Sequence, residues 1–173
     1  MSPMRTARAA ALGLGLAAAP VAGQDGTGPF GAFKHDASQP IEITADSLAV
    51  DQSSQTATFR GEVVAGQGTL RLTAREIVVS YGGDGGDETG RIDRLRAEGE
   101  VFLSNGSETA KGGWADYDVA GGVVEMGGDV VLTQGENAIS GQSLRIDLEA
   151  GTGEISGGRV RSVFTPPAQD DGG

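Results

Sequence analysis

Residues 140–147 read S-G-Q-S-L-R-I-D, and residues 44–51 read T-A-D-S-L-A-V-D. Both phrases contain a small residue, a leucine three positions later, an aliphatic residue two positions after that, and then an aspartate. A similar spacing starts at further positions when the chain is aligned on its small residues, Ala45, Ala74, Gly112 and Gly141. A phrase that recurs along a chain indicates an internal structural repeat.

A second series of landmarks supports the same repeat. It consists of Gly61, Gly99, Gly128 and Gly157, and the first three of these begin the phrase Gly-acid-Val. Both series fit a period of about 29 residues with one insertion, which lies between Ser80 and Gly99. The sequence therefore predicts four degenerate copies of one unit, with a glycine-rich insertion at 82–90.

Each unit is predicted to be β-structure, because apolar residues alternate with polar ones at a period of two. One stretch places Phe59 and Val63 on one face and Arg60 on the other. The parity then shifts, since Ile77 stands an odd number of residues after Leu72. Keeping both side chains inside requires a bulge or a corner, which the small landmark residue permits. Units of this kind bury their apolar faces only when they stack.

The ends of the chain differ from the repeats. Residues 1–23 have basic residues followed by a short Ala/Leu/Gly run and small residues, the pattern of a cleavable signal peptide. The alternative is an uncleaved membrane anchor. Residues 24–40 lack the repeat and are predicted to form a loose arm, residues 41–164 the folded β domain, and residues 165–173 a disordered tail.

Composition excludes several classes of protein. The chain has no cysteine, so a small scaffold held by disulfides is excluded. The formal net charge is −11, and removal of Arg5 and Arg8 with the leader makes it more negative. Such a charge is a poor match for nucleic acid, and no nucleic-acid partner is predicted.

The apolar face of the repeats has two interpretations. Alternating apolar strands ordinarily fill a sealed core. The inward residues are mainly Ile, Leu, Val and Ala, which offer few hydrogen-bonding groups, so they also suit a slot for acyl chains. Periodicity alone leaves both interpretations open.

Several phrases, in order, resemble the LptA/OstA family of lipopolysaccharide-transport proteins. They are Q-P-I-E-I (39–43), F-R-G-E-V (59–63), Q-G-T-L-R-L (67–72) and A-R-E-I-V-V (74–79). Later phrases, G-D-V-V-L-T-Q and R-V-R-S-V-F-T-P, resemble the end of that family, and the likeness covers roughly 41–167. The resemblance implies an all-β fold, a twisted antiparallel β-jellyroll with an open apolar interior, in the periplasm.

The resemblance also implies partners and sites. Lipid A acyl chains of lipopolysaccharide would lie in the interior. An inner-membrane transport complex would dock at the N-terminal edge, and an outer-membrane translocon would dock at the C-terminal edge. Copies of the chain would join head to tail. The implied partner edge comprises Ile41, Ile43 and Leu48. The implied lipid-binding interior comprises Phe59, Val63, Leu70, Leu72, Ile77, Val79, Val101, Leu103, Tyr117, Val130, Leu132, Leu144 and Ile146.

The third unit departs from the pattern, because Glu108 and Ala110 stand where aliphatic residues are expected, and the likeness is weakest over 82–97. No catalytic, metal or cofactor site is predicted. His35 is the only histidine. The segment 82–90 matches a single copy of a calcium-binding repeat. Because that repeat binds calcium only between tandem copies, the segment is predicted to be a loop. Asp46 and Asp51 fit a solvated face better than a glycosidase pair.

Alternatives to the transport function remain at this stage. The chain could be a structural β-solenoid without cargo, or the related membrane-anchored transport partner, and an enzyme acting on glycans is a more distant possibility.

Overall fold

A computed structural model describes residues 33–82 and 91–165. The regular elements are all β-strands, as the sequence predicts, and no helix within those two ranges is long and apolar enough to span a bilayer. In chain order the strands are β1 (Ile41–Thr44), β2 (Ser47–Asp51), β3 (Thr56–Gln67), β4 (Leu70–Tyr81), β5 (Ile92–Ser104), β6 (Glu108–Asp118), β7 (Val123–Gln134), β8 (Asn137–Asp147), β9 (Thr152–Ser156) and β10 (Arg161–Val163).

The strands form one antiparallel sheet whose order follows the sequence. Strands β3 to β8 each pair with the next strand along the chain. Both β1 and β2 pair with β3, and both β9 and β10 pair with β8. At each end of the sheet, the two short strands therefore occupy the position of one long strand that is bent in the middle.

A line of β-bulges crosses this sheet. In β3, Gly61–Glu62 stands opposite the single residue Arg75 of β4, and the same two-against-one pairing recurs at Gly99–Glu100 and Gly128–Asp129. The φ angles of the three glycines are 82°, 82° and 81°, and that of Gly157 is 81°. This left-handed region favours glycine, which explains why the second landmark series is glycine.

The two landmark series meet along that line. The valine after each bulge pairs with a small landmark residue on the next strand: Val63 with Ala74, Val101 with Gly112, and Val130 with Gly141. On either side of the line the apolar parity changes, so that both Leu72 and Ile77 are buried. The prediction of a bulge or a corner is confirmed. The extra residue lies in the Gly-acid pair of the neighbouring strand, and the small landmark residue pairs with the valine that follows that pair.

The sheet folds over along the bulge line into two facing layers. The bulge line divides each long strand, β3 to β8, into two halves. Layer A contains β2, β9 and the halves that carry Phe59, Ile77, Leu95, Tyr117, Met126 and Leu144. Layer B contains β1, β10 and the other half of each long strand, which carries Ala65, Leu72, Leu103, Ala110, Leu132 or Ile139. The buried side chains of both layers form a single cluster, which is the interior. We call the line along which the hairpin tips of the two layers face each other the seam.

The prediction of a loose arm is wrong for residues 33–40. The Phe33 side chain is fully buried in the interior cluster, and the His35 amide donates a hydrogen bond of 2.7 Å to the Leu148 carbonyl. In the tail, Thr165 donates hydrogen bonds to Asn137 and Glu136. The predicted signal peptide, residues 24–32 of the arm, residues 83–90 of the insertion with its calcium-like motif, and residues 166–173 lie outside the described residues.

Candidate functional site

The structure brings the predicted interior residues together. Period-two alternation points them to one face of each strand, and folding at the bulges turns those faces towards each other. Phe59 is half-buried and packs against the cluster. The others are buried within it: Val63, Leu70, Leu72, Ile77, Val79, Val101, Leu103, Tyr117, Val130, Leu132, Leu144 and Ile146. Contact of these residues with lipid stays a prediction.

The interior is filled in this conformation. A void of about 10 Å³ remains among the side chains that include Leu72, Leu95, Leu103 and Tyr117. Such a volume holds about one water molecule and no acyl chain. The expectation of an open interior is therefore wrong for this conformation, and a lipid cargo would have to displace side chains or separate the layers.

A buried hydrogen bond joins the two layers at the seam. The Tyr117 hydroxyl, on layer A, donates to Gln67 Oε1, on layer B, at 2.8 Å. Burial, with a smaller contribution from the charge of Asp118, raises the pKa of Tyr117 to about 12, so the hydroxyl stays protonated as the donor. Gln67 was not among the predicted interior residues, although its period-two spacing after Val63 places it on the inward face.

A second buried polar pair lies where the third unit departs from the pattern. Glu108 is fully buried, and its Oε1 accepts a hydrogen bond of 2.8 Å from the Gln134 side-chain amide. The other carboxyl oxygen, Oε2, is buried without a hydrogen-bond partner in the described structure. Burial raises the pKa of the Glu108 carboxyl, because the charged form is desolvated. Ala110, the other departure, is also buried.

We expect Glu108→Gln to stabilise the fold at neutral pH. The native carboxyl keeps its proton at pH values where the unfolded one, near 4.5, has lost it. The free energy of unfolding of the unmodified protein therefore falls as pH rises from about 4.5 through the raised pKa. Glutamine retains the acceptor for Gln134 and does not ionise, so the variant lacks this fall.

Denaturant unfolding of both proteins across that pH window measures the difference. Their curves should agree below the unfolded pKa and separate above it, with the variant more stable. A constant difference at all pH values would contradict ionisation of Glu108 as the cause.

The three predicted partner-edge residues occupy different environments. Ile41 and Ile43 are half-buried and pack against the interior cluster, so their side chains belong partly to the interior. Leu48 is 56% exposed, and so is Val50 on the same strand. They pair with Phe59 and Ala57, which places them on the interior face of layer A at the first edge of the sheet. Exposed apolar side chains thus continue the interior face beyond the buried cluster.

A groove of about 550 Å³ lies along the seam. Its walls come from the arm (Ala37, Ser38 and Gln39), from layer B (Ile41 and Gln67) and from layer A and its turns (Arg91, Ile92, Val119 and Ala120). Ile41 and Gln67 also line the small interior void. The groove therefore lies directly outside the interior.

The acids that were weighed as a catalytic pair have structural contacts. Ser53 and Ser54 donate hydrogen bonds to Asp51 in the turn after β2, and these bonds lower the pKa of Asp51. The Asp46 amide donates to the Arg60 and Gly61 carbonyls, where β1 and β2 turn at the bulge line. Both residues therefore shape the first bent strand.

A family model described as LptA/(LptD N-terminal domain) LPS transport protein matches residues 42–152. The chain belongs to this family. The chain is 32% identical to an uncharacterized protein of Rhizobium meliloti over 137 residues, covering 76% of this chain and 74% of that protein. It is 27% identical to the lipopolysaccharide export system protein LptA of Escherichia coli, with 83% of this chain and 80% of the relative covered.

The fold is also that of a solved member of the family. The crystal structure of LptH from Pseudomonas aeruginosa, described as the LptA-homologous periplasmic component of the lipopolysaccharide transport device, superposes with a TM-score of 0.65. The match covers 74% of this chain and 96% of LptH at 21% identity. The antiparallel β-jellyroll and the LptA/OstA resemblance are thereby confirmed.

Proposed function

We propose that this chain is a periplasmic bridge component that carries lipopolysaccharide from an inner-membrane transport complex to an outer-membrane translocon. The observation that supports this proposal is the apolar interior between the two layers, in a member of the LPS transport family. Lipid A acyl chains need shielding from water, because each exposed methylene costs about 0.8 kcal/mol. The interior offers Ile, Leu and Val side chains that require no directional partner from a chain.

The two edges of the sheet support head-to-tail assembly. Strands β1 and β2 pair on one side only, with β3, and β9 and β10 pair only with β8 within the described chain. Unpaired strand edges accept further strands. We assign the first edge, with Leu48 and Val50, to the membrane-side complex or the preceding copy, and the last edge to the translocon or the next copy. The predicted signal peptide at 1–23 agrees with periplasmic placement.

A photocrosslinking scan tests the interior route. We expect p-benzoyl-phenylalanine at Leu72, Val101 or Leu132 to capture lipopolysaccharide in cells on irradiation, because each side chain lies within the interior. The matched control is Phe102, an exposed aromatic residue between the inward residues Val101 and Leu103, where the probe should capture little lipid. The measurement is the yield of lipid-shifted protein bands at each site.

Equal yields at inward sites and at Phe102 would exclude the interior route. In a sealed core the bulky probe should instead overpack and destabilise the fold by about 1–3 kcal/mol.

The filled interior favours a second candidate, a structural β-assembly without cargo. The interior side chains are buried against one another in this conformation, and the void beside Leu72 and Tyr117 measures about 10 Å³. This candidate predicts head-to-tail association of folded protein and no lipid capture at any inward site. The same scan therefore separates the two functions.

A further inference from the structure

Residues 33–40, which we call the strap, lie across the seam and contact both layers. On the layer A side, the His35 amide donates to the Leu148 carbonyl, just after β8. On the layer B side, the His35 ring lies beside the turn at Gly68, where an added Cβ would be 3.0 Å from its Cε1 atom. The Gln67 side-chain amide donates hydrogen bonds of 2.8 Å to the Ala37 and Gln39 carbonyls. The strap therefore closes the seam that the groove follows.

The strap also places one large apolar side chain in the interior. Phe33 is fully buried, whereas the next residue, Lys34, is exposed. Leu148, whose carbonyl holds the strap, is also fully buried in the same cluster. Phe33 thus contributes to the apolar filling of the space that acyl chains would need.

The strap is attached differently from the strands around it. None of its residues pairs with a β-strand, whereas β1, which follows it, pairs with β3 from Ile41 to Thr44. Its own turn is formed internally, since Ser38 donates its amide and hydroxyl hydrogens to Asp36. Segments that lack ladder hydrogen bonds open at lower free energy than central strands. The strap can therefore leave as a preformed unit while the sheet stays paired.

We propose that the strap is a displaceable closure of the seam and that Phe33 holds the place of an acyl chain until lipid enters. This inference rests on the proposed function and adds a route, through the seam groove, and a regulating element. Displacement of the strap breaks its bonds to Leu148 and Gln67 and withdraws Phe33, which gives the interior the space that it lacks. The ligand class is an acyl chain of a lipid whose polar head group stays in the groove or in water.

A reversible lock on the strap tests the proposal. The chain has no cysteine, so Lys34→Cys with Glu149→Cys introduces a single reactive pair. Both side chains are exposed, and each neighbours a residue of the His35–Leu148 hydrogen bond, so a short cleavable bismaleimide can join them. Purified lipopolysaccharide is the probe, and the readout is the amount that co-elutes with folded protein after timed incubation.

We expect the locked protein to load lipopolysaccharide at least about tenfold more slowly than the same protein after cleavage of the linker, because little of it can open. Both single-cysteine variants, capped with a monofunctional maleimide, should load like the unmodified protein. The Phe33→Ser variant should load lipopolysaccharide faster than the unmodified protein. The lock experiment does not use this variant, so it remains valid if Phe33→Ser fails to fold.

Equal loading by locked and cleaved protein would overturn the strap proposal and leave the proposed function intact. If the unmodified protein and the cleaved variant both fail to load, the proposed function is overturned, and the strap proposal with it.

Discussion

Leu48→Asp with Val50→Asp should leave the fold intact and abolish most head-to-tail association. Both side chains are 56% exposed on an edge strand, so aspartate at these positions stays in water in the isolated protein. In an assembly they would lie against the preceding copy, where two buried charges oppose docking. Burying two unpaired carboxylates in the interface costs more than the roughly 1.4 kcal/mol of a tenfold change, so self-association should weaken by at least about tenfold.

The same strand provides the control for this experiment. Ser47 and Ala49 alternate with Leu48 and Val50 and pair with outward residues of β3, so Ser47→Asp with Ala49→Asp adds equal charge on the opposite face. Sedimentation of each folded double variant over a concentration series measures association. Equal weakening by both pairs would assign the effect to charge alone and contradict the placement of the interface on the interior face.

Gly112→Ala should be the more disruptive of two neighbouring glycine substitutions. A Cβ at Gly112 would lie 2.9 Å from the Gly127 carbonyl oxygen, which belongs to the backbone of the adjacent strand. That backbone is part of the bulge line, so relief of the clash would move β7 relative to β6. We expect a loss of about 1–3 kcal/mol in the free energy of unfolding, as in other overpacked sites.

Gly113→Ala is the matched control. There the nearest atoms to an added Cβ are 3.5–3.7 Å away, an ordinary contact distance. Its φ lies outside the left-handed region, so alanine fits and should be neutral or stabilise by up to about 1 kcal/mol. Thermal unfolding of both variants measures the contrast. Similar midpoints would show that β6 and β7 separate at this point without cost.

The repeat made the strands and their inward faces predictable. Alternation places Leu72 and Ile77 on opposite faces of a flat strand, so requiring both inside already implied a bulge or a corner between them. The burial of both residues confirms that inference. The landmarks did not reveal that the two kinds of small residue have different roles. Gly61 adopts the left-handed backbone within the bulge, whereas Ala74 pairs with Val63, the residue that follows the bulge.

The parts that escaped prediction depend on contacts between segments distant in sequence. Phe33 lies in a polar, glycine-containing stretch without periodicity, and only the folded sheet supplies the pocket that buries it. Glu108 was recognised as an exception, yet its partner Gln134 is 26 residues away on the next strand. The filled state of the interior depends on how closely the two layers approach, which no strand pattern specifies.

The agreement of strand order with chain order has a consequence for how the protein folds. Hairpin partners are close in sequence, so little loop-closure entropy is lost as each pair forms, and contact order is low for an all-β protein. The long-range crossovers that slow many β-sandwiches are absent from the described sheet. A polypeptide that becomes available for folding N-terminus first can therefore add each new strand to one that is already in place. Such growth adds only one new unpaired strand edge at a time and limits aggregation during folding.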